Sequence, residues 1–186
     1  MESETELIDL VASVCGELGL PYAIGGSMAS MAYGEFRTTS DIDVVLSLRP
    51  ADVPRFLSRF PKSDYYHDEQ AALEAVRTGG QFNIVLFNAA LKIDVHVAAD
   101  PVAERQITGA RRLRAPSGRM ANFSPPEELI LKKLEYFGFS GSERQLRDVS
   151  SMLRVTAVDQ ERVAELAREH GLADVWQAVL NRIARG

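Results

Sequence analysis

Apolar positions first recur at helical spacing: Leu7, Leu10, Val11, Val14 and Leu18 fall on one face, and Gly19 follows as a stop. Pro21 turns the chain into a short apolar strand, Tyr22 to Ile24, which Gly25 and Gly26 end. Ser27 is placed to cap a second helix through Met28 and Met31. After the polar run Arg37 to Ser40 comes Asp41-Ile42-Asp43-Val44-Val45-Leu46, a buried strand that opens on two acids. Pro50 to Phe60 and Glu69 to Arg77 read as helices, the second ended by Gly79-Gly80. Phe82 to Phe87 and Leu91 to Val97 read as strands, and Asn88-Ala89-Ala90 between them has hairpin length. Arg111 to Ala115 and Arg119 to Phe123, flanking Pro116-Ser117-Gly118, predict a further hairpin.

From Ser124 the pattern becomes helical throughout. Ser124 as cap, Pro125 at the first helical position and Glu127 three residues after the serine form a capping-box signature, and the helix runs to about Phe137. Further helices are expected from about Ser142 to Leu153, from Asp159 to His170 with Gly171 as stop, and from Ala173 to Ala184. The expected fold is α/β (α+β): a mixed, mostly antiparallel sheet flanked by helices, followed by a C-terminal helical region. We place the boundary so that residues 1–122 form the sheet-containing domain and residues 123–186 the helical one.

With 186 residues, 46% of them apolar, the chain can build a real core. A net charge of -5 and a pI near 5.3 argue against a protein that is basic overall and coats nucleic acid, while leaving room for a local basic patch. Cys15 is the only cysteine, which rules out a disulfide framework within the chain; its apolar neighbours make it a buried hydrophobe. Glu2, Glu4 and Glu6 are the wrong charge for a leader, and no apolar run reaches the length of a membrane span, so the expected location is cytoplasmic.

The chemistry lies in the acids and the glycines. Side chains alternate along a strand, so Asp41 and Asp43 point to the same face. Asp94, between Ile93 and Val95, is a mid-strand carboxylate that needs a partner: a metal, or an ion pair with Arg37 or Lys133. If its strand lies beside that of Asp41, three carboxylates converge on a hard cation, Mg²⁺ or Mn²⁺. Such a site suits phosphoryl chemistry on a nucleoside triphosphate. Gly25 and Gly26 let a phosphate approach the backbone at a helix N-terminus, Ser27 adds a hydroxyl, and Arg37 can balance phosphate charge. The competing reading makes Gly25-Gly26 a plain turn and Asp41-Ile42-Asp43 a solvated strand end.

Gly25-Gly26-Ser27, then Arg37-Thr38-Thr39-Ser40-Asp41-Ile42-Asp43, then Ile93-Asp94-Val95 resemble the signature of the DNA polymerase β-like nucleotidyltransferase superfamily. Within it the chain looks most like the bacterial minimal nucleotidyltransferases and the AbiEii-type toxin proteins. Pro126-Glu127-Glu128-Leu129-Ile130-Leu131-Lys132-Lys133-Leu134 resembles a helix of those proteins and puts their lysine at Lys133. Arg144-Gln145-Leu146-Arg147-Asp148 resembles a second element, with Arg147 where lysine is common and Ser151 where a further acid falls.

The resemblance implies a nucleotidyltransferase fold and Mg²⁺-dependent transfer of a nucleoside monophosphate to a hydroxyl. Asp41, Asp43 and Asp94 would be the catalytic metal-holding acids. Lys133 would contact phosphate, and Asp148 would position that lysine or the acceptor. Read without the resemblance, either Lys132 or Lys133 can be merely solvated, and Asp148 can pair with Arg144. The acceptor is left open among RNA (tRNA ends in particular), a protein in a toxin-antitoxin setting with an antitoxin partner, and an antibiotic. A non-catalytic nucleotide- or partner-binding relative is the remaining alternative.

His96 shares the face of Asp94, as a group beside the site or as a structural histidine; His67 and His170 lack ligand spacing. Arg105, Arg111, Arg112, Arg114 and Arg119 form the densest positive stretch, suited to an RNA acceptor or simply a solvated hairpin. Tyr136, Phe137 and Phe139 read as packing residues.

Overall fold

The computed structural model describes residues 4–34 and 40–184. Arg37, expected at the phosphates, lies outside the described residues. The chain divides into two compact units, Met1–Met28 with Thr38–Ser124 and Ala29–Arg37 with Pro125–Gly186. Among the described residues no helix is long and apolar enough to cross a membrane.

The first unit is built on a seven-stranded sheet of β1 (Tyr22–Ile24), β2 (Asp41–Leu46), β3 (Tyr65–Tyr66), β4 (Gln81–Leu86), β5 (Lys92–Val97), β6 (Arg111–Arg114) and β7 (Met120–Phe123). Their order across the sheet is β3-β4-β5-β2-β1-β7-β6. β2 runs parallel to β5 and β1 parallel to β7, and the other neighbouring pairs are antiparallel, the mixed, mostly antiparallel sheet expected. One face carries Ile42, Val44, Ile84, Ile93, Val95 and Phe123, all buried. Each fully buried aliphatic side chain there contributes about 1.5–3 kcal/mol. Helices α1 (Glu4–Leu18), α3 (Val53–Leu57) and α4 (Glu69–Thr78) supply the complementary side chains, with Phe56 meeting Phe82 edge-on at 6.4 Å between ring centres.

Three elements differ from the expected pattern. The helix expected over Pro50 to Phe60 is a 3-10 turn at Pro50–Asp52 followed by the five residues of α3, because Pro54 supplies no amide to carry one continuous helical ladder. Helix α5 (Pro101–Thr108) was not anticipated, although Asp100 caps it by accepting from the Ala103 amide and Pro101 stands at its first turn. Strand β3 is two residues long, too short for an alternating pattern to show.

Cys15 is buried on the core side of α1, and burial pushes its thiol up to about 12. Because the folded state favours the neutral thiol, its contribution to stability is fully present below the unfolded thiol value of about 8.5 and is lost as pH rises through the folded one. A thiol reagent at pH 8 should therefore leave the native protein unlabelled and label it on unfolding, as followed by mass spectrometry.

The second unit is helical: the end of α2 (Gly26–Tyr33), then α6 (Pro126–Ser140), α7 (Glu143–Val155), α8 (Gln160–Glu169) and α9 (Ala173–Ile183). The expected capping box does not form. Pro125 is the N-cap of α6, Ser124 Oγ faces Gln106 Oε1 at 3.3 Å, and Glu127 accepts the Asp159 amide at 3.0 Å. Tertiary partners thus take both side chains that local sequence assigns to the cap.

Candidate nucleotide and metal site

Strand alternation and sheet register assemble the acids. On β2, Asp41 and Asp43 are half-exposed while Ile42 is buried, so both acids face away from the core. On β5, Lys92, Asp94 and His96 share one face and Ile93, Val95 and Val97 the other. Parallel pairing sets Asp41 beside Lys92 and Asp43 beside Asp94. Register partners lie on the same side of a sheet, so the three carboxylates share one face, as the sequence requires for convergence.

Each carboxylate is engaged. Lys92 Nζ donates to Asp94 Oδ2 at 2.7 Å and lies 3.9 Å from Asp41 Oδ1. The Asp94 hydrogen bond, outweighing partial burial, holds the Lys92 ammonium above the usual lysine range. Asn83, register partner of Asp94 on β4, has its side-chain amide 3.0 Å from Asp94 Oδ1 and donates to it when the amide is turned with its nitrogen toward the carboxylate. His96 Nε2 lies 3.4 Å from Asp43 Oδ1, which places the histidine at the acids.

Asp94 therefore has a partner of the kind its position demands, Lys92 on its own strand; Arg37, one of the ion-pair alternatives, lies outside the described residues. Lys92 and Asn83 were missed in the sequence. The signal for Lys92 was present, since it stands two residues before Asp94 on one strand; Asn83 is found only through the register of β4. Among the described residues no three histidine, cysteine or acidic side chains stand close enough together to hold a metal ion as they are now oriented.

The glycines lie next to these acids, and their roles separate. Gly25 donates its amide to Asp43 O at 2.8 Å, and a Cβ on it would meet nothing nearer than 3.8 Å. Gly26 has φ +53, and a Cβ there would fall 1.7 Å from Asp43 Oδ2 and 2.5 Å from Asp43 Cγ. Only the absence of a side chain lets the Asp43 carboxylate lie over the start of α2. The helix starts at Gly26, so Ser27 stands in its first turn rather than at the cap position. In chemistry, though not in their present spacing, carboxylate oxygens from adjacent strands are the ligands a hard divalent cation takes.

Within the second unit, Lys133 Nζ donates to Asp148 Oδ2 at 2.6 Å, with Gln145 Oε1 at 3.4 Å. Both ionic side chains are more than nine-tenths buried. Asp148 is thus joined to Lys133 rather than to Arg144. Lys132 instead meets Glu135 at 3.0 Å on a half-exposed surface. Removing one member of a buried ion pair is strongly destabilising, so Lys133→Met should cost about 3–5 kcal/mol. Lys132→Met should stay within about 1 kcal/mol. Denaturant titration of the two variants measures the contrast.

Of the arginine-rich stretch, Arg105 lies on α5, while Arg111, Arg112, Arg114 and Arg119 belong to the edge strand β6 and its hairpin with β7. There Arg114 donates to Gly118 O at 2.7 Å and Arg119 lies 3.7 Å from Asp9.

No family model matches this chain, and no curated protein does. Solved structures do resemble it. An antigenic nucleotidyltransferase-like protein from Paracoccidioides brasiliensis superposes with a TM-score of 0.59 at 18% identity, covering 94% of this chain and 92% of the other. The lincosamide antibiotic adenylyltransferase LnuA, lincomycin-bound, gives 0.58 at 11% identity over 83% of this chain and 98% of the other. The antibiotic-resistance factor ANT(2'')-Ia gives 0.52 at 16% identity over 98% and 94%. The fold of this chain is that of the nucleotidyltransferases.

Proposed function

We propose that the chain is a metal-dependent nucleotidyltransferase, moving a nucleoside monophosphate from a nucleoside triphosphate to an acceptor hydroxyl. One observation carries the reading: Asp43 and Asp94 are register partners on neighbouring parallel strands, with Asp41 on their face and Gly26 directly under Asp43. Asp41, Asp43 and Asp94 would hold Mg²⁺ or Mn²⁺. When bound, the ion neutralises charge on the triphosphate and on the departing pyrophosphate.

The remaining work belongs to the chain. Gly25, Gly26 and Ser27 receive the phosphates at the positive end of the α2 dipole, where an anion is favoured. Arg37 balances phosphate charge. Asp94 takes the proton of the acceptor hydroxyl, and Asn83 orients it by donating to its other oxygen. The acceptor oxygen then bonds to the α-phosphorus as the bond to the β-phosphate oxygen breaks, and pyrophosphate leaves. On the strength of the resemblance alone, Lys133 is the phosphate-contacting lysine and Asp148 the carboxylate that holds it.

For the acceptor we propose an RNA, a tRNA end above all, or a protein, in a cytoplasmic toxin-antitoxin setting of the AbiEii kind with a small antitoxin partner. The motifs around Lys133 and Asp148 and the arginines of the β6-β7 hairpin support this. A second reading, adenylylation of an antibiotic, is favoured by the names of two structural neighbours, a lincosamide adenylyltransferase and an antibiotic-resistance factor.

Incubation with each α-labelled nucleoside triphosphate, Mg²⁺, total RNA, cell lysate and a panel of lincosamides and aminoglycosides separates the readings by which fraction becomes labelled. Label in no fraction would sink the enzymatic proposal and leave a non-catalytic nucleotide- or partner-binding relative.

A further inference from the structure

We propose that Lys92 is a built-in counter-ion of the acid face, one that occupies Asp94 in place of a divalent cation and is displaced from it when metal binds. The inference rests on the reading of Asp41, Asp43 and Asp94 as the metal-holding acids. Three carboxylates on one sheet face repel one another, and repulsion between neighbouring strands opposes their pairing. Lys92 relieves this from within: its ammonium touches Asp94 on its own strand and lies within 3.9 Å of Asp41 on the next.

Asp94 Oδ2 is already used by Lys92, and Oδ1 faces the Asn83 amide, which donates to it when its nitrogen is turned inward. A dication bound at Oδ2 would meet a second positive charge at hydrogen-bond distance, so the two exclude each other. Of the two partners Lys92 is built to leave. Its flexible four-carbon stem ends in a strongly hydrated ammonium, and its side chain is 37% exposed, so water can receive it. Metal binding is then an exchange of one cation for another. Lys92 lowers metal affinity, and it keeps the acids in register while no metal is present.

Calorimetric titration with Mn²⁺ tests this on the wild-type protein, Lys92→Met and Lys92→Arg, beside thermal melts with and without the ion. Removing the charge should tighten Mn²⁺ binding roughly five- to tenfold, since a unit charge about 4 Å away matters at that level even in high dielectric. Lys92→Met should also melt lower than wild type without metal and gain more on its addition, while Lys92→Arg keeps the wild-type affinity. Acetic anhydride labelling read by mass spectrometry gives an independent signal: Mg²⁺ should speed acetylation of Lys92 in the wild-type protein.

Equal or weaker Mn²⁺ binding by Lys92→Met, or Lys92 labelling that metal slows or leaves alone, overturns the exchange while the metal reading of the acids stands. A wild-type protein that binds neither ion at millimolar concentration brings down that metal reading itself, and the exchange with it.

Discussion

Gly26→Ala is expected to abolish nucleotide transfer, at least about a hundredfold, and Gly25→Ala to lower it by less. Two effects combine at Gly26. Its φ of +53 lies in the left-handed region, where a residue with a Cβ is strained by about 1–2 kcal/mol. The new methyl would also lie 1.7 Å from Asp43 Oδ2 and 3.0 Å from Asp43 Cβ, so the carboxylate must leave its position. Losing a group placed for the transition state costs several kcal/mol of barrier, which is the source of the rate loss. At Gly25 the nearest atoms are Asp43 Cβ and Ser124 Oγ at 3.8 Å, ordinary contact. Parallel assays of transfer and thermal midpoint on the two variants test the claim; equal losses would mean that the turn matters only as a turn.

Asp94→Asn should lower transfer about a thousandfold and leave the fold unchanged. Asparagine has nearly the same shape, and the neighbours of Asp94 that set the sheet, Ile93 and Val95, are buried on the opposite face. What is lost is a proton acceptor and an anionic ligand. Lys92 would keep a neutral oxygen to donate to and retain Asp41 nearby, so circular dichroism and the thermal midpoint should stay close to wild type. Full transfer activity in this variant would show that the proton goes elsewhere. A matching loss in binding of Mn²⁺ would tie the same residue to the metal.

How legible was all this in the chain? The alternation of Asp41, Ile42 and Asp43 was sufficient to aim two carboxylates away from a core, because side chains in a strand can only alternate. The pairing of Tyr22–Ile24 with β2, and of β2 with β5, needed long-range contacts that no local pattern encodes. Local signals failed where tertiary partners offered a better exchange. Ser124 and Glu127 carry a helix-start signature, yet Gln106 and the Asp159 amide claim them, and the helix begins without a side-chain cap. Helix α5 had a legible start in Asp100 and Pro101, but its eight residues were too few for a periodic face to stand out.

The partner of Asp94 is the clearest division between the two levels. That a mid-strand acid needs one follows from the cost of burying an unpaired carboxylate, a matter of composition and position alone. Which residue answers is decided by distance: Lys92 by alternation on the same strand and Asn83 by the register of β4, while His96 approaches Asp43 instead. The sequence by itself determined the acids' shared face, the two glycines and the helical C-terminal region, because these depend on period and on local backbone freedom. Only the tertiary structure decided that Asp94 sits opposite Asp43, that Gly26 rather than Gly25 has no room for a side chain, and that Lys133 is tied to Asp148. Those facts depend on strand register, on a positive backbone angle and on a buried charge finding its opposite across two helices, and each exists only once distant segments have met.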